Sequence, residues 1–140
     1  MEKVTEAGGS LGNVPRTMPA LARAQRVTER ASHFGFDWPS AEQVWDKIEE
    51  ELNELKGAVS SNDKSRIGEE MGDLLFSLVN LSRFLGVEAE DILTKTADRF
   101  INRFAHIETR IRERGKTLAD ASLEEMDSLW EEAKKKERNL

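Results

Sequence analysis

The stretch AEQVWDKIEEELNELKGAV, residues 41–59, decides the fold class, because its apolar side chains recur with the period of an α-helix. No proline follows Pro39, so long helices are permitted over the rest of the chain. Valine, isoleucine and threonine nowhere alternate with polar residues in the manner of strands. We therefore predict an all-α protein. The apolar positions of this helix are Ala41, Val44, Trp45, Ile48, Leu52, Leu55 and Val59.

Four more helices are predicted around this one, because glycines, prolines and Ser-x-x-Glu or Ser-x-x-Gln caps punctuate the other apolar patterns. Residues 1–16, rich in glycine, are predicted to form a mobile arm, and residues 17–140 one helical domain of ordinary size. The apolar stripes are long for one small chain, so we expect oligomerisation to complete the bundle. The predicted helices cover about 19–34, 40–59, 64–85, 88–114 and 122 onward.

Composition excludes several classes of function. The absence of cysteine excludes disulfides, thiolate metal sites and cysteine nucleophiles. No apolar run approaches the ~18 residues of a membrane helix, and residues 1–10 lack the apolar core of a signal peptide. We therefore expect a soluble cytoplasmic protein without a membrane partner.

The negative charge is concentrated in one part of the chain. Residues 42–73 hold ten acidic and four basic residues, a balance of −6 that equals the net charge of the whole chain. Phosphates would be repelled there, so direct nucleic-acid binding is not expected. Cations would be attracted.

Two acidic pairs in this segment lie on comparable flanks of neighbouring helices. Glu51 and Glu54 are spaced i, i+3 beside the predicted apolar stripe, and Glu70 and Asp73 repeat that arrangement on the next helix. A short turn at about residues 60–63 favours antiparallel packing, which would bring the pairs together. We expect four clustered carboxylates without local bases to repel one another. A hard divalent cation, Mg²⁺ or alternatively Mn²⁺, would relieve that repulsion.

A solvent-exposed helix face is the alternative interpretation, since acidic i, i+3 pairs are common on such faces. A di-iron bundle is excluded, because it needs Glu-x-x-His. Arginines stand three residues before both histidines, His33 and His106.

The motifs EELNE at 50–54 and EMGD at 70–73 resemble those of the MazG family of nucleoside triphosphate pyrophosphohydrolases, whose pattern is EExxE followed by ExxD. The likeness extends from about Pro15 to Glu137, as one copy similar to the C-terminal copy of tandem MazG proteins. The flanking words that match are MPAL at 18–21, GFDW at 35–38, EEMGDLLF at 69–76 and VNLSR at 79–83.

The resemblance implies an all-α fold of the MazG type that hydrolyses (deoxy)nucleoside triphosphates to a nucleoside monophosphate and pyrophosphate, as in housecleaning of the nucleotide pool. It also implies homodimers or homotetramers. The four carboxylates would be catalytic and would hold Mg²⁺, with no one of them assigned as general base. Arg99 departs from the lysine usual in the family. The positions that match nucleotide contacts are Arg99, Arg103, Trp130 and Lys134.

The residues themselves leave alternatives open at these positions. Arg99 and Arg103, spaced i, i+4, could reach a polyphosphate together or be ordinary surface arginines. Trp130 could stack on a base or belong to the core. Phe36 and Trp38 could line a base pocket or only pack the connector before residue 40.

Two rival functions remain at this stage. One is a catalytically silent helical module for dimerisation or regulation, which the long apolar stripes favour. The other is an enzyme restricted to deoxynucleoside triphosphates, which would use the same chemistry.

Overall fold

The computed structural model describes residues 9–139 as five α-helices and one 3₁₀ turn, with no strand in that range. The all-α prediction is therefore confirmed for the described residues. None of the helices there is long and apolar enough to span a membrane. The helices are α1 (Ala20–Ser32), α2 (Ala41–Ser60), α3 (Lys64–Phe84), α4 (Ala89–Glu113) and α5 (Leu123–Arg138), and the 3₁₀ turn is Leu118–Asp120.

The chain divides into two compact units within α4. Unit 1 runs to Ile92 and holds α1, α2, α3 and the first turn of α4, whereas unit 2 begins at Leu93 and holds the rest of α4, the 3₁₀ turn and α5.

Unit 1 is organised by the turn between α2 and α3. Asn62 adopts a left-handed conformation with φ of 53°, and the side chain of Asp63 accepts a hydrogen bond from the Arg66 amide at 3.2 Å. Asp63 thus caps α3, as short acidic side chains do at helix starts. The reversal lays α3 back along α2, the pair of helices most extensively packed in the described chain. The antiparallel hairpin was predicted from the shortness of the turn.

The buried face of α2 differs from the predicted one. Its buried residues are Val44, Glu51 and Ala58, spaced by seven. Trp45 and Val59 in the predicted stripe each follow a buried residue by one position, and they are exposed. Val44 of the predicted stripe is buried and Ile48 and Leu55 are half-buried, so the buried face overlaps the predicted one and is shifted toward Glu51. The prediction of the α2 face was therefore wrong in part, as it was on α3, where Met71, Leu75, Leu78 and Leu85 are exposed.

The N-terminal segment lies against α1 where it is described. Arg30 Nη1 donates hydrogen bonds to the carbonyls of Leu11 at 2.6 Å and Asn13 at 3.3 Å, and Val14 is buried. Gly12 has φ of +77°, and an added Cβ would lie 2.5 Å from Arg30 Nη1. Residues 1–8 of the predicted mobile arm lie outside the described residues, and the mobility of the arm stays a prediction.

One glutamine links α1 to the start of α4 within unit 1. Gln25 is buried, its Nε2 donates to the Val87 carbonyl at 2.9 Å, and its Oε1 accepts from the Ala89 amide at 2.8 Å. In return, Glu90 Oε1 accepts from the Ala22 amide at 3.3 Å. Both helices therefore begin with an amide bonded to a side chain of the other helix.

Unit 2 is built around Ile107, Ile111 and Leu129, with Phe104 and Trp130 packed against that core. At the start of α5 the hydroxyl of Ser122 accepts from the Glu125 amide at 3.0 Å, which confirms the predicted cap. The predicted cap of α2 differs, because the Ser40 hydroxyl contacts the Gln43 side chain and no backbone amide donates to it.

Candidate functional site

The structure brings three of the four predicted carboxylates together in unit 1. One oxygen each of Glu51, Glu70 and Asp73 lies within 4.8 Å of the others. Glu51 is buried with 5% of its surface exposed, whereas Asp73 faces solvent. The cluster therefore runs from the α2–α3 seam to the surface.

Glu54, the fourth carboxylate, is exposed and lies beside Glu70. Burial raises the pKa of Glu70, and the carboxylates of Glu54, Glu51 and Asp73 raise it further. The other three acids thus all act electrostatically on Glu70.

Two basic residues accompany the buried acids, which corrects the expectation of a cluster without local bases. Lys47 Nζ lies 2.9 Å from Glu51 Oε2, and Arg66 Nε lies 3.9 Å from Glu70 Oε2. The hydrogen bond to Glu51 raises the pKa of Lys47 and keeps it charged. Each base precedes its acid by four residues on the same helix, a spacing that places side chains side by side. Sequence reasoning could have found both bases from that spacing.

The second oxygens of Glu51, which is buried, and of Glu70, which is half-buried, have no hydrogen-bond partner among the described residues. Glu51 Oε1 and Glu70 Oε1 are buried, and neither has a hydrogen-bond partner in the described part of the chain. A buried polar atom without a partner costs about 1–3 kcal/mol, and more when it is charged. Carboxylate oxygens are the donors that Mg²⁺ prefers. The two unsatisfied oxygens and the neighbouring acids therefore fit a divalent cation.

The predicted nucleotide-contacting residues lie in unit 2, where Arg103 and Trp130 form one group. The guanidinium of Arg103 lies 5.0 Å from the centre of the Trp130 ring. Arg103 also donates two hydrogen bonds to Glu137 Oε1, from Nη2 at 2.7 Å and from Nε at 3.1 Å. Phe100 contacts Trp130 with ring centres 5.3 Å apart. Arg103 is thus held by its own unit, and Trp130 belongs to the edge of the core.

The other two predicted contacts are more loosely held. Arg99 is exposed, and its Nη2 donates to Thr96 Oγ1 at 3.1 Å. Lys134 Nζ lies 3.9 Å from Glu131 Oε1, a distance typical of a weak surface pair. Both cations remain near the surface of unit 2.

Comparison with known proteins agrees with the family resemblance of the two acidic motifs. The family model described as the MazG nucleotide pyrophosphohydrolase domain matches residues 40–108, which include all four carboxylates. The chain is 45% identical over 133 residues to the nucleoside triphosphate pyrophosphohydrolase/pyrophosphatase MazG of Thermotoga maritima, covering 95% of this chain and 51% of that protein. It is 39% identical over 133 residues to the nucleoside triphosphate pyrophosphohydrolase of Escherichia coli K12, covering 94% and 51%.

A third relative is the uncharacterized protein YabN of Bacillus subtilis, 44% identical over 138 residues, covering 98% of this chain and 28% of that protein. The chain thus spans about half the length of the first two relatives and about a quarter of the third.

Proposed function

Because the chain belongs to the MazG nucleotide pyrophosphohydrolase family, we propose that it hydrolyses nucleoside triphosphates between the α and β phosphates, with release of a nucleoside monophosphate and pyrophosphate. The observation that supports this most is the pair of buried, unpartnered oxygens, Glu51 Oε1 and Glu70 Oε1. Buried oxygens without a protein partner are expected where a bound ligand supplies the missing interaction.

In this proposal Glu51, Glu54, Glu70 and Asp73 hold Mg²⁺, with Mn²⁺ as the alternative. When bound, the cation offsets the charge of the triphosphate and lowers the pKa of a bound water. Lys47 and Arg66 neutralise the outer oxygens of Glu51 and Glu70, so the inner oxygens stay oriented toward the cluster.

The reaction needs one proton acceptor near the attacking water. A carboxylate of the cluster accepts that proton while the water oxygen bonds to phosphorus and the bridging oxygen between the α and β phosphates leaves. The negative charge of the cluster makes it a suitable proton acceptor.

We also propose that Arg99, Arg103, Trp130 and Lys134 contact the nucleotide. The support is the family resemblance and the cationic, aromatic character of Arg103 resting on Trp130. Arginine binds phosphate in two-pronged fashion and is always charged. Arg103 would exchange the Glu137 carboxylate for a phosphate.

We further propose a homodimer or homotetramer. Large apolar side chains are exposed on both helices of the unit 1 hairpin, among them Trp45 on α2 with 52% of its surface exposed and Leu75 on α3 with 50%. A second copy would bury such a face. Sedimentation equilibrium measures the assembly, and a monomer at all concentrations would contradict this part of the proposal.

A housecleaning role in the cytoplasm, where nucleotide pools are consumed, completes the proposal.

The decisive experiment incubates the protein with each nucleoside triphosphate and Mg²⁺ and resolves the products by ion-exchange chromatography. We expect monophosphate and pyrophosphate in equal amounts. Release of orthophosphate would contradict the proposed reaction.

A matched pair of variants tests the site. Glu51→Gln should lose at least ~100-fold in turnover, because one metal ligand is lost. Glu50→Gln changes the adjacent carboxyl, which is exposed and paired with Lys47 at 3.2 Å, and should keep turnover near that of the unmodified protein. Equal turnover in both variants would remove Glu51 from the site.

The rival function, a silent interaction module, is favoured by the exposed apolar side chains of α2 and α3. Isothermal titration with a nonhydrolysable triphosphate separates the two functions. We expect binding that requires Mg²⁺, whereas an interaction module would give no heat with or without the metal.

A further inference from the structure

Three cations of unit 2 act on a single carboxylate, that of Glu137. The hydrogen bonds from Arg103 lower the pKa of Glu137, and the positive charges of Arg103, Arg99 and Lys134 lower it further. These are the three cations among the predicted nucleotide contacts. They therefore form one electrostatic group, and Glu137 is an anion that all three share.

The contact between Arg103 and Glu137 has the geometry with which arginine binds phosphate. Arg103 Nη2 donates to Glu137 Oε1 at 2.7 Å, and Arg103 Nε donates to Oε1 and Oε2 at 3.1 Å each. The planar guanidinium offers neighbouring N–H groups along one edge, and such an edge binds two oxygens of a carboxylate or of a phosphate. Glu137 thus occupies an edge of Arg103 that a phosphate would use.

Of the two partners, Glu137 is the one that can move. The guanidinium of Arg103 lies 5.0 Å from the centre of the Trp130 ring, and its side chain is only 17% exposed. The side chain of Glu137 is 37% exposed and stands in the last turn of α5, which ends at Arg138. Helix ends open more readily than helix interiors, so the carboxylate can leave while the core of unit 2 stays packed.

We propose that Glu137 is an internal competitor of the substrate. Its carboxylate occupies Arg103 in the free protein, must leave before a phosphate of the nucleotide or of pyrophosphate binds there, and so sets the affinity for both. This inference rests on the proposed function and names a residue that regulates the same site. Glu137 acts through Arg103 and is therefore a positioning residue, which keeps the guanidinium oriented until a more highly charged anion displaces it.

The first experiment measures anion binding without chemistry. Inorganic pyrophosphate is titrated into the full-length protein by calorimetry, with a chelator present so that no metal at the carboxylate cluster contributes. In Glu137→Gln the dissociation constant should fall about fivefold, the upper end of what a surface ion pair is worth. A purely structural contact predicts the opposite sign, because a loosened α5 would bind more weakly. An unchanged or raised dissociation constant would overturn the proposal.

Glu131→Gln is the matched control, because it removes the same charge from the same helix. Glu131 Oε1 lies 3.9 Å from Lys134 Nζ, and the charge of Glu131 also acts on Arg103. The hydrogen bonds of the Arg103 guanidinium go to Glu137 instead. We expect the dissociation constant to change less than about twofold in this control. An equal gain in both variants would show that total charge sets the affinity, which would also overturn the proposal.

A double variant tests whether Glu137 acts through Arg103. In the Arg103→Gln background, Glu137→Gln should tighten pyrophosphate binding less than about 1.5-fold, because the group for which carboxylate and phosphate compete is absent. The same gain with and without Arg103 would contradict the competition.

A more conservative variant covers the case in which Glu137→Gln does not fold. Glu137→Asp keeps the charge and withdraws the carboxylate by one methylene, so it should also bind pyrophosphate more tightly than the unmodified protein. Binding no tighter than that of the unmodified protein would then overturn the proposal.

Steady-state kinetics with a nucleoside triphosphate and Mg²⁺ relates this competition to turnover. Glu137→Gln should lower KM about fivefold and leave kcat no higher than before, since substrate and product use the same arginine. A raised KM would contradict the role of Glu137. If the unmodified protein hydrolyses no triphosphate, the proposed function fails, whereas the pyrophosphate titration still decides the role of Glu137.

Discussion

The acids of the carboxylate cluster in unit 1 and the paired glutamates of unit 2 are satisfied to very different degrees. In unit 2, Glu132 accepts from Arg110 at 3.0 Å and Glu137 accepts from Arg103 at 2.7 Å. In unit 1, Glu51 and Glu70 each have a base at one oxygen and a buried, unpartnered second oxygen. The pKa values respond in opposite directions, since the arginines lower those of Glu132 and Glu137 whereas burial raises that of Glu70.

This difference distinguishes carboxylates that stabilise the fold from carboxylates that are available to bind a ligand. A carboxylate with its charge and lone pairs satisfied contributes to the packing of its helices. A carboxylate left incomplete in a buried place lowers stability and is expected at functional sites. Both units are rich in acids, so composition alone does not distinguish them.

The largest effect is expected when one acid of the unit 1 cluster is neutralised and compared with a paired acid of unit 2. Glu70→Gln should reduce turnover by at least ~100-fold and abolish Mg²⁺ binding measured by titration calorimetry, because it removes a charged ligand. Glu132→Gln weakens the pair with Arg110 in unit 2, away from the proposed nucleotide contacts, and should keep turnover within about threefold. Metal binding that survives in Glu70→Gln would place the cation elsewhere.

Removal of the base beside Glu51 should have the next largest effect. Lys47→Met leaves a buried carboxylate without compensation and should lower the free energy of unfolding by about 2 kcal/mol in metal-free buffer. Added Mg²⁺ should stabilise the variant more than the unmodified protein in thermal denaturation. Lys56→Met, at an exposed position of the same helix, is the control. An equal loss in both variants would show that helix propensity, and not the charge of Glu51, sets the effect.

The pH dependence of stability should have opposite signs at Glu70 of the cluster and at the paired glutamates of unit 2. Because the pKa of Glu70 is raised, the folded state keeps the proton to a higher pH than the unfolded state does. The contribution of Glu70 to the free energy of unfolding therefore falls as pH rises from the ordinary glutamate range through the raised pKa. For Glu132 and Glu137 the pKa is lowered, so their contribution is present above the ordinary range and is lost as pH falls through the lowered pKa.

Denaturation with urea between about pH 4 and 8 in the presence of a chelator measures this dependence. Glu70→Gln should remove the loss of stability toward neutral pH, whereas Glu69→Gln, its exposed neighbour, should not. A loss that persists unchanged in Glu70→Gln would show that another group titrates.

The smallest expected effect concerns Arg99, the position at which the resemblance described above implies a lysine. Arg99→Lys keeps the charge of an exposed side chain and should change KM by less than about threefold, with kcat unchanged. Steady-state kinetics at several ionic strengths checks this. A large fall in kcat would show that Arg99 binds a reacting phosphate in a two-pronged manner that lysine cannot reproduce.

Much of the helical framework was predictable, because helix starts and ends depend on neighbours in sequence. Ser122 with Glu125 and the turn before α3 were both identified from local spacing. The face of α2 was not, because the seam holds Glu51, a charged residue that a hydrophobic pattern assigns to solvent. Periodicity therefore centred the stripe near Ile48 and Leu52, whereas the buried face is shifted toward Glu51.

At the site, too, the features set by local spacing were predictable and those set by the tertiary fold were not. The convergence of Glu51, Glu70 and Asp73 followed from helix spacing and a short turn, and the structure places them together. The pairs Arg83–Asp37 and Arg103–Glu137 join residues 46 and 34 positions apart. Only the tertiary fold brings such partners together, so no local pattern could have predicted them.

The exchange of side chains between α1 and α4 has a consequence for how unit 1 opens. Gln25 bonds to the Ala89 amide and Glu90 to the Ala22 amide, so detaching either helix exposes the first turn of the other. The two helix starts, 67 residues apart in the sequence, should therefore exchange their amide hydrogens with solvent at linked rates. A truncated chain that begins at α2 would begin α4 with an exposed Ala89 amide, and fragments for biochemical work should retain residue 20 onward.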